Sequence, residues 1–374
     1  MDTTSGPTHP TSGTLDEALE RLHTRGPEFH GYLSNHGPMA VEALVRHGRA
    51  DSVHRWLDRY ETTLEDRPPA DTAVTEANWR EALGDPRRVT DWTAYMSRQL
   101  ADRPWRDVLA EWWPRLLPGI AGAATHPVIR VGHAVRTLSP DGEEEPRVAE
   151  LAHALGYWAA RHLPLGDVAA PAGRNTPDAA LWDVPPVPEQ EGGIRQRLAQ
   201  LARTPGWPAA TAALRPAAGP ADARALLAGV VAAATARYAV DAAAEPVMLV
   251  HAATAPNAVL RTLPALPEHL WVPSLHAAWA ASAAVTAAYA PRHPARPQDA
   301  TGAAPGGATD APDGASGTDT PGDASADAFE RAAAHGDAHA IKLTDTALDV
   351  AAATGRPEAL RAAHQAVTLI PPKD

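Results

Sequence analysis

The stretch that decides the fold is Ala338-His-Ala-Ile-Lys-Leu-Thr-Asp-Thr-Ala-Leu-Asp-Val-Ala-Ala-Ala353. Its apolar residues recur at helical spacing, and Ile341, Leu343 and Leu348 give the predicted helix an apolar side. His339 and Lys342 are three residues apart on this helix. Side chains at that spacing share a face, with Cβ atoms about 5–6 Å apart. An imidazole and an amine so placed can reach one ion or one substrate.

The same helical periodicity runs through most of the chain, and convincing alternation of apolar and polar residues, the mark of a strand, is hard to find. We therefore predict an all-α protein. Thr14 is a reasonable N-cap for the first helix, and Pro38 suits the first turn of the second. Helices are predicted over residues 15–22, 38–47, 50–60, 91–100, 105–116, 147–162, 194–202, 221–238, 258–261, 270–290, 326–334, 338–353 and 357–367.

The chain is predicted to form a single large multi-helix domain, made of residues 14–290 and 326–370. Residues 1–13 are predicted to be a disordered tail. Residues 291–325 contain Pro, Gly, Ala, Thr, Ser and Asp but no large apolar side chain. Such a segment buries too little surface to offset the entropy of ordering, so we predict a disordered insertion within the domain. The Pro-rich residues 166–193 are expected to form an irregular connection.

Composition excludes several classes of function. The 374 residues include no cysteine, which rules out disulfides, thiolate metal sites and a cysteine nucleophile. The net charge is −12 without a block of Lys or Arg, so nucleic-acid binding is not expected. The longest apolar runs, 225–236 and 275–290, fall short of the roughly 20 residues of a membrane span. Residues 1–13 lack the apolar core of a signal peptide, and a soluble, cytoplasmic protein is expected.

Histidines are the strongest candidates for chemistry. His36 lies in Asn35-His36-Gly37-Pro38, a tight turn that presents either a helix-capping imidazole or a metal ligand. His126 precedes Pro127, which favours extended backbone at His126 and a helix just after it. His133 is about 10 Å further along that helix, so the two cannot readily bind one ion. We favour His126 as the ligand, with His133 substrate-facing or supporting the site.

Two further segments carry candidate ligands. His251 follows the apolar run Val247-Met-Leu-Val250 and is either a satisfied core residue or a ligand, which spacing alone leaves open. For His339 and Lys342 the alternative is a solvated helix face. Lys342, however, lies near the edge of the apolar side, where partial burial favours the neutral amine. A neutral amine can add carbon dioxide to form a carbamate, whose oxygens resemble those of a carboxylate.

Four motifs resemble those of the questin oxidase-like family: Asn35-His-Gly-Pro-Met39, His126-Pro-Val-Ile-Arg130, Val250-His-Ala-Ala-Thr-Ala-Pro256 and His339-Ala-Ile-Lys-Leu-Thr344. The resemblance extends over residues 15–367, apart from the insertion. It implies an oxygen-using enzyme that opens a ring of an anthraquinone-type polyketide. It also implies a non-haem iron, Fe(II), held by His36, His126, His251 and His339 with Lys342 as a carboxylated lysine.

The leading hypothesis is therefore an iron-dependent dioxygenase or monooxygenase whose partners are an aromatic polyketide and O2. Trp112, Trp113, Trp271 and Trp279 are candidate walls for a flat substrate, although ordinary packing is favoured for at least two of them. Arg130 is a candidate partner for a phenolate.

Two alternatives stay open from the sequence. The first is a metal-free, NADPH-assisted Baeyer–Villiger-type monooxygenase, although no nucleotide-binding motif such as G-x-G-x-x-G supports NADPH. The second is a non-catalytic helical scaffold that binds small molecules, which predicts that the candidate ligands do not cluster. A homo-oligomer formed through the Ala-rich residues 275–290 is compatible with all three hypotheses.

Overall fold

The computed structural model describes residues 10–138, 143–166, 168–292 and 321–372, and this part of the chain is all-α, as predicted. Its α-helices are α1 Pro10–His23, α2 Gly37–Arg46, α3 Ala50–Tyr60, α4 Trp79–Ala82, α5 Val89–Asp102, α6 Trp105–Leu116, α7 His126–Leu138, α8 Glu145–Ala160, α9 Pro177–Trp182, α10 Ile194–Leu198, α11 Trp207–Ala212, α12 Pro220–Asp241, α13 Val250–Thr262, α14 Trp271–Tyr289, α15 Pro321–His335, α16 Ala338–Thr354 and α17 Pro357–Leu369. A short antiparallel hairpin pairs β1 Glu28–Phe29 with β2 Leu33–Ser34.

Four of these helices pack in a closed ring: α2 contacts α7, α7 contacts α13, α13 contacts α16, and α16 contacts α2. The contact between α7 and α13 is especially close, because Gly132 faces the backbone of Ala258. A Cβ atom on Gly132 would lie 2.6 Å from the Cα of Ala258. The ring matters for function because each of its helices begins at or beside a candidate ligand.

The remaining helices surround the ring with a large apolar core. Seven tryptophans are fully buried in it: Trp92, Trp105, Trp112, Trp113, Trp158, Trp207 and Trp279. One helix, α12, is long and apolar enough to span a membrane by length and composition. However, 61% of its most apolar stretch is buried inside the protein, as expected of a core helix. The cytoplasmic location stays a prediction.

Several predicted boundaries are wrong, and four of the differences involve a proline. Helix α1 begins at Pro10, so residues 10–13 are helical and Thr14 is not an N-cap. Helix α15 begins at Pro321, which makes the last five residues of the predicted insertion helical. Helix α9 begins at Pro177, inside the connection that was expected to be irregular. Proline is tolerated in the first helical turn because its missing N–H has no partner there.

Helix α13 departs furthest from expectation, because it runs through Pro256 instead of starting after it. A proline inside a helix leaves the carbonyl four residues earlier without its usual donor. Here the Ser282 hydroxyl donates to the Ala252 carbonyl at 2.7 Å and replaces the missing bond. The helix therefore extends back to Val250 and includes His251. Residues 1–9 and 293–320, parts of the predicted tail and insertion, lie outside the described residues.

Candidate metal centre

Four histidines from distant parts of the sequence meet at one end of the helical ring. His36 precedes α2, His126 is the first residue of α7, and His251 and His339 are the second residues of α13 and α16. The Nε2 atom of His126 lies 2.7 Å from Nε2 of His36 and 3.0 Å from Nε2 of His251. The ring of His339 lies 4.5 Å from that of His36, centre to centre. Ligand atoms of His36, His126 and His339 all lie within 4.8 Å of one another, so this group could hold a metal ion.

Three of the four rings are oriented by an acceptor at Nδ1. The Ala123 carbonyl lies 2.7 Å from Nδ1 of His126, and the Met248 carbonyl lies 3.0 Å from Nδ1 of His251. The Asp337 carboxylate lies 3.3 Å from Nδ1 of His339 and accepts the His339 backbone N–H at 2.7 Å. An acceptor at Nδ1 places the proton there and leaves the lone pair on Nε2, which is how metal-binding histidines are usually held.

The contact between His126 and His251 then requires an explanation. A backbone carbonyl can only accept, so both Nδ1 atoms carry a proton and both neutral rings present a lone pair at Nε2. Burial lowers the pKa of both rings well below 6.5, and the nearby Lys342 charge lowers it further. Neither ring is therefore readily protonated. Two lone pairs facing each other at 3.0 Å are not a hydrogen bond. A shared cation would turn this repulsive contact into coordination.

The separations also suit a single ion. Metal–imidazole bonds are about 2.0–2.1 Å long, so two ligands at right angles on one ion lie about 3.0 Å apart. The observed 2.7 and 3.0 Å are close to that value. The donor set of imidazoles, without thiolate, is one that iron, zinc, nickel and copper all accept.

His126 is held by a strained turn. Ala123, Ala124 and Thr125 have φ angles of 42°, 56° and 68°, in the left-handed region that residues other than glycine seldom adopt. The expectation of extended backbone at His126 is wrong, because its φ and ψ are −53° and −40°, which are helical. The left-handed turn reverses the chain before Pro127 and brings the Ala123 carbonyl back to the His126 ring. Strain of this kind is characteristic of functional sites.

Lys342 lies one helical turn after His339 and is fully buried, whereas the sequence suggested partial burial. Its charge lowers the pKa of both His126 and His251, which places it close to the cluster. A charged ammonium in such a site is costly because it has been removed from water. Lys342 is thus a buried amine beside the imidazoles.

His36 is positioned by aromatic side chains that sequence reasoning did not select. Its backbone N–H donates to the Tyr60 hydroxyl at 2.6 Å. Its ring meets that of Phe29 edge to face, with 6.1 Å between centres. Phe29 belongs to the β hairpin that leads directly into the Ser34-Asn35-His36 segment. Asp337, beside His339, was also missed, although an Asp two residues before a His at a helix start is a readable capping signal.

The two residues predicted to support the site lie elsewhere. The Nδ1 atom of His133 is 2.7 Å from the Glu42 carboxylate, one layer away from the histidine cluster. Arg130 donates two hydrogen bonds to Glu150, at 2.5 and 2.7 Å, and both side chains are buried. This ion pair leaves the Arg130 guanidinium committed to a carboxylate of the protein, so the expected pairing with a phenolate has no support in the geometry.

The four candidate tryptophans serve packing. Trp112 meets the rings of three other aromatic residues edge to face, and Trp113 does the same with Trp158. Indole N–H groups of Trp271 and Trp279 donate to backbone carbonyls of Leu266 and Thr211. These contacts are typical of helix packing, the interpretation that the sequence favoured for at least two of the four.

Residues 33–155 match the Questin oxidase-like family model. This match confirms the resemblance seen in the sequence over about a third of the chain, and it supports an oxidoreductase. The questin oxidase-like segment contains His36 and His126, whereas His251, His339 and Lys342 lie after it. No curated protein matches the chain.

Proposed function

We propose that this questin oxidase-like protein is an oxygenase that cleaves a ring of an anthraquinone-type or related aromatic polyketide at a non-haem iron. His36, His126, His251 and His339 would hold the iron, with Lys342 as the fifth protein ligand. The observation that carries the proposal is the contact between the Nε2 lone pairs of His126 and His251 at 3.0 Å. Iron bound there would supply one-electron and O2 chemistry.

Lys342 enters the proposal as its carbamate. The neutral amine nitrogen forms a bond to the carbon of CO2 and releases one proton, which leaves an anionic –NH–COO⁻ group. Counted from the charged lysine, two protons are released, one when the ammonium becomes the neutral amine and one when the carbamate forms, so a buried positive charge is replaced by a negative one beside a divalent cation. The resulting set of four imidazoles and one oxygen donor is compatible with iron.

The chain itself contributes orientation and exclusion of water. Carbonyls of Ala123 and Met248 and the carboxylate of Asp337 lie at Nδ1 of three rings and leave the Nε2 lone pairs for the ion. All four histidines are buried, with at most 8% of any of them exposed. A buried site strengthens electrostatic interactions and keeps reactive species from water. The substrate class is supported by the family match.

The clustering of the four histidines also helps to distinguish the proposed oxygenase from the two alternatives. A scaffold with structural histidines predicted that the candidate ligands would be scattered, and they are not. A metal-free, NADPH-assisted monooxygenase predicts turnover that depends on NADPH and is indifferent to chelators.

The test is an oxygen-consumption assay with a panel of hydroxylated anthraquinones and related phenols. Protein stripped of metal and reloaded anaerobically with Fe(II), Mn(II), Co(II) or Zn(II) is compared, with and without NADPH. We expect O2 uptake only after Fe(II) loading, and 18O from 18O2 in a ring-opened product. The His251→Ala variant should lose activity. The His153→Ala variant is the control, because that ring stacks on His23, away from the cluster. Turnover by the chelated protein with NADPH alone would contradict the proposal.

A further inference from the structure

A second polar layer repeats the arrangement of the histidines further along the same four helices. Each helix of the ring carries one polar residue six or seven positions after its histidine and another ten positions after it. These residues are Glu42 and Arg46 on α2, His133 and Arg136 on α7, Asn257 and Arg261 on α13, and Asp345 and Asp349 on α16. Because a helix rises 1.5 Å per residue, this layer begins about 9 Å from the histidines.

Asp345 is the centre of the layer. Its side chain is fully buried and accepts from Arg46 at 2.6 Å, from Arg261 at 2.7 Å and from Arg136 at 3.1 Å. The ring of His47, just after α2, lies 2.9 Å from the same carboxylate. One carboxylate on α16 is therefore bonded to the other three helices of the ring.

Other bonds complete the network. Glu42 on α2 accepts from Arg136 on α7 at 2.8 Å. Asp349 on α16 accepts from Arg46 at 2.8 Å and from Arg261 at 2.6 Å. Three guanidinium groups thus face three carboxylates, and the layer is balanced in charge. Such a network is weak evidence for stability, because the cost of removing charges from water offsets their attraction. Fixing the relative position of the elements it joins is a better-supported role for it.

The equal spacing along the four helices links the positions of the charged residues to the positions of the histidines. All four helices run in the same direction from the histidines to the charged layer. On each helix the histidine and the charged residue are ten positions apart, and both sets of residues contact their counterparts on other helices of the ring. A helix is stiff over ten residues. A slide or rotation of α16 against its neighbours at Asp345 is therefore transmitted to His339 and Lys342. Metal ligands have to be placed within about 0.2 Å of their proper distances.

We propose that Asp345 is a positioning residue for the metal centre: it joins four helices in the one register that brings their histidines to a single ion. The inference rests on the metal site proposed above. Asp345 contacts neither the metal nor the substrate. Its role is to keep the four helices that carry the ligands in their relative positions. Neutralising Asp345 would leave three guanidinium groups facing two carboxylates in a partly buried layer, and the helices would shift to relieve the excess charge.

The experiment measures Co(II) binding to Asp345→Asn by competition with a chelator, together with the visible d–d spectrum of the bound ion. Loss of a group that supports ligands typically weakens metal binding 10- to 100-fold. We expect a loss in this range and altered d–d bands. Asp91→Asn is the matched control: Asp91 is also buried and pairs with Arg88, but it lies on α5, outside the ring. The control should bind Co(II) as the wild type does, with the same bands.

Arg46→Met provides a second, milder variant in case Asp345→Asn does not fold, because the Arg46 side chain is 37% exposed. It should weaken Co(II) binding in the same direction. Folded variants that bind Co(II) within twofold of the wild type, with unchanged bands, would overturn the positioning role. Equal losses in Asp91→Asn would also overturn it. If the wild type itself binds no metal, the proposed function fails, and that result is distinct from either of the others.

Discussion

The close contact between α7 and α13 allows a direct test of how helix packing controls the metal centre. In Gly132→Ala, the new Cβ would lie 2.6 Å from both Cα and Cβ of Ala258 and 2.8 Å from its carbonyl oxygen. Carbon atoms in ordinary contact are about 3.5–4.0 Å apart. The two helices must therefore separate by roughly 1 Å, because the opposing atoms belong mainly to backbone and cannot rotate away.

The expected free-energy cost of this substitution is small. Overpacking of a core costs about 1–3 kcal/mol. Replacing a helical glycine by alanine returns about 1 kcal/mol. The net loss of stability is therefore about 0–2 kcal/mol, measurable by chemical denaturation of the metal-free protein.

The same separation should also weaken metal binding. Helices α7 and α13 carry His126 and His251, whose Nε2 atoms are 3.0 Å apart. A separation of roughly 1 Å exceeds the tolerance of about 0.2 Å for metal–ligand distances several-fold. We expect Co(II) affinity to fall at least about 10-fold.

Gly156→Ala is the matched control for this variant. A Cβ on Gly156 would lie 2.8 Å from backbone atoms of Thr93, so α8 and α5, two helices that carry no candidate ligand, are forced apart in a similar way. Its stability should fall by a comparable amount while Co(II) affinity is retained. Unchanged affinity in Gly132→Ala, or an equal loss in Gly156→Ala, would refute the reasoning.

Three further predictions concern individual side chains. Lys342→Ala should lose iron and activity, and added short carboxylic acids should restore part of both if a carbamate is the natural ligand; no recovery in a folded variant would count against the carbamate. Tyr60→Phe should weaken Co(II) binding and cost about 1–3 kcal/mol in denaturation experiments, because the buried His36 N–H loses its acceptor; an unchanged variant would show that this bond does not hold His36. Because the pKa values of His126 and His251 are lowered well below 6.5, the unfolded chain binds protons that the folded one does not. The metal-free protein should therefore lose up to about 1.4 kcal/mol of stability per histidine for each pH unit below 6.5, and His251→Asn should show a shallower loss between pH 6.5 and 5; equal slopes would contradict the burial of neutral rings.

The sequence predicted the helices well where apolar periodicity was continuous. It failed in segments with proline that were predicted to be disordered, irregular or outside a helix. Pro10, Pro177 and Pro321 each start a helix, and Pro256 lies inside one because Ser282 supplies the missing donor. That last compensation is a tertiary contact between residues 30 positions apart, which no local pattern reveals.

The candidate ligands were found because each histidine lies in a short, distinctive motif at a helix start. Their supporting residues were missed for a physical reason. When each helix is considered alone, Asp345 and Arg261 look like residues of an ordinary solvated helix face. Only the ring of four helices shows that they meet, with the Asp345 carboxylate fully buried. The recurring interval of ten residues from each histidine to a charged residue was nevertheless present in the sequence. It is a signal that could have been read.

Metal content tests the central claim most directly. The full chain and its His251→Ala variant would be purified untagged under anaerobic conditions and measured by elemental analysis against protein concentration. The account predicts close to one iron per chain in the wild type and its loss in the variant, with the fold retained by circular dichroism. Wild-type protein that neither contains iron nor takes it up on anaerobic addition of Fe(II) would contradict the metal centre, and with it the proposed oxygenase.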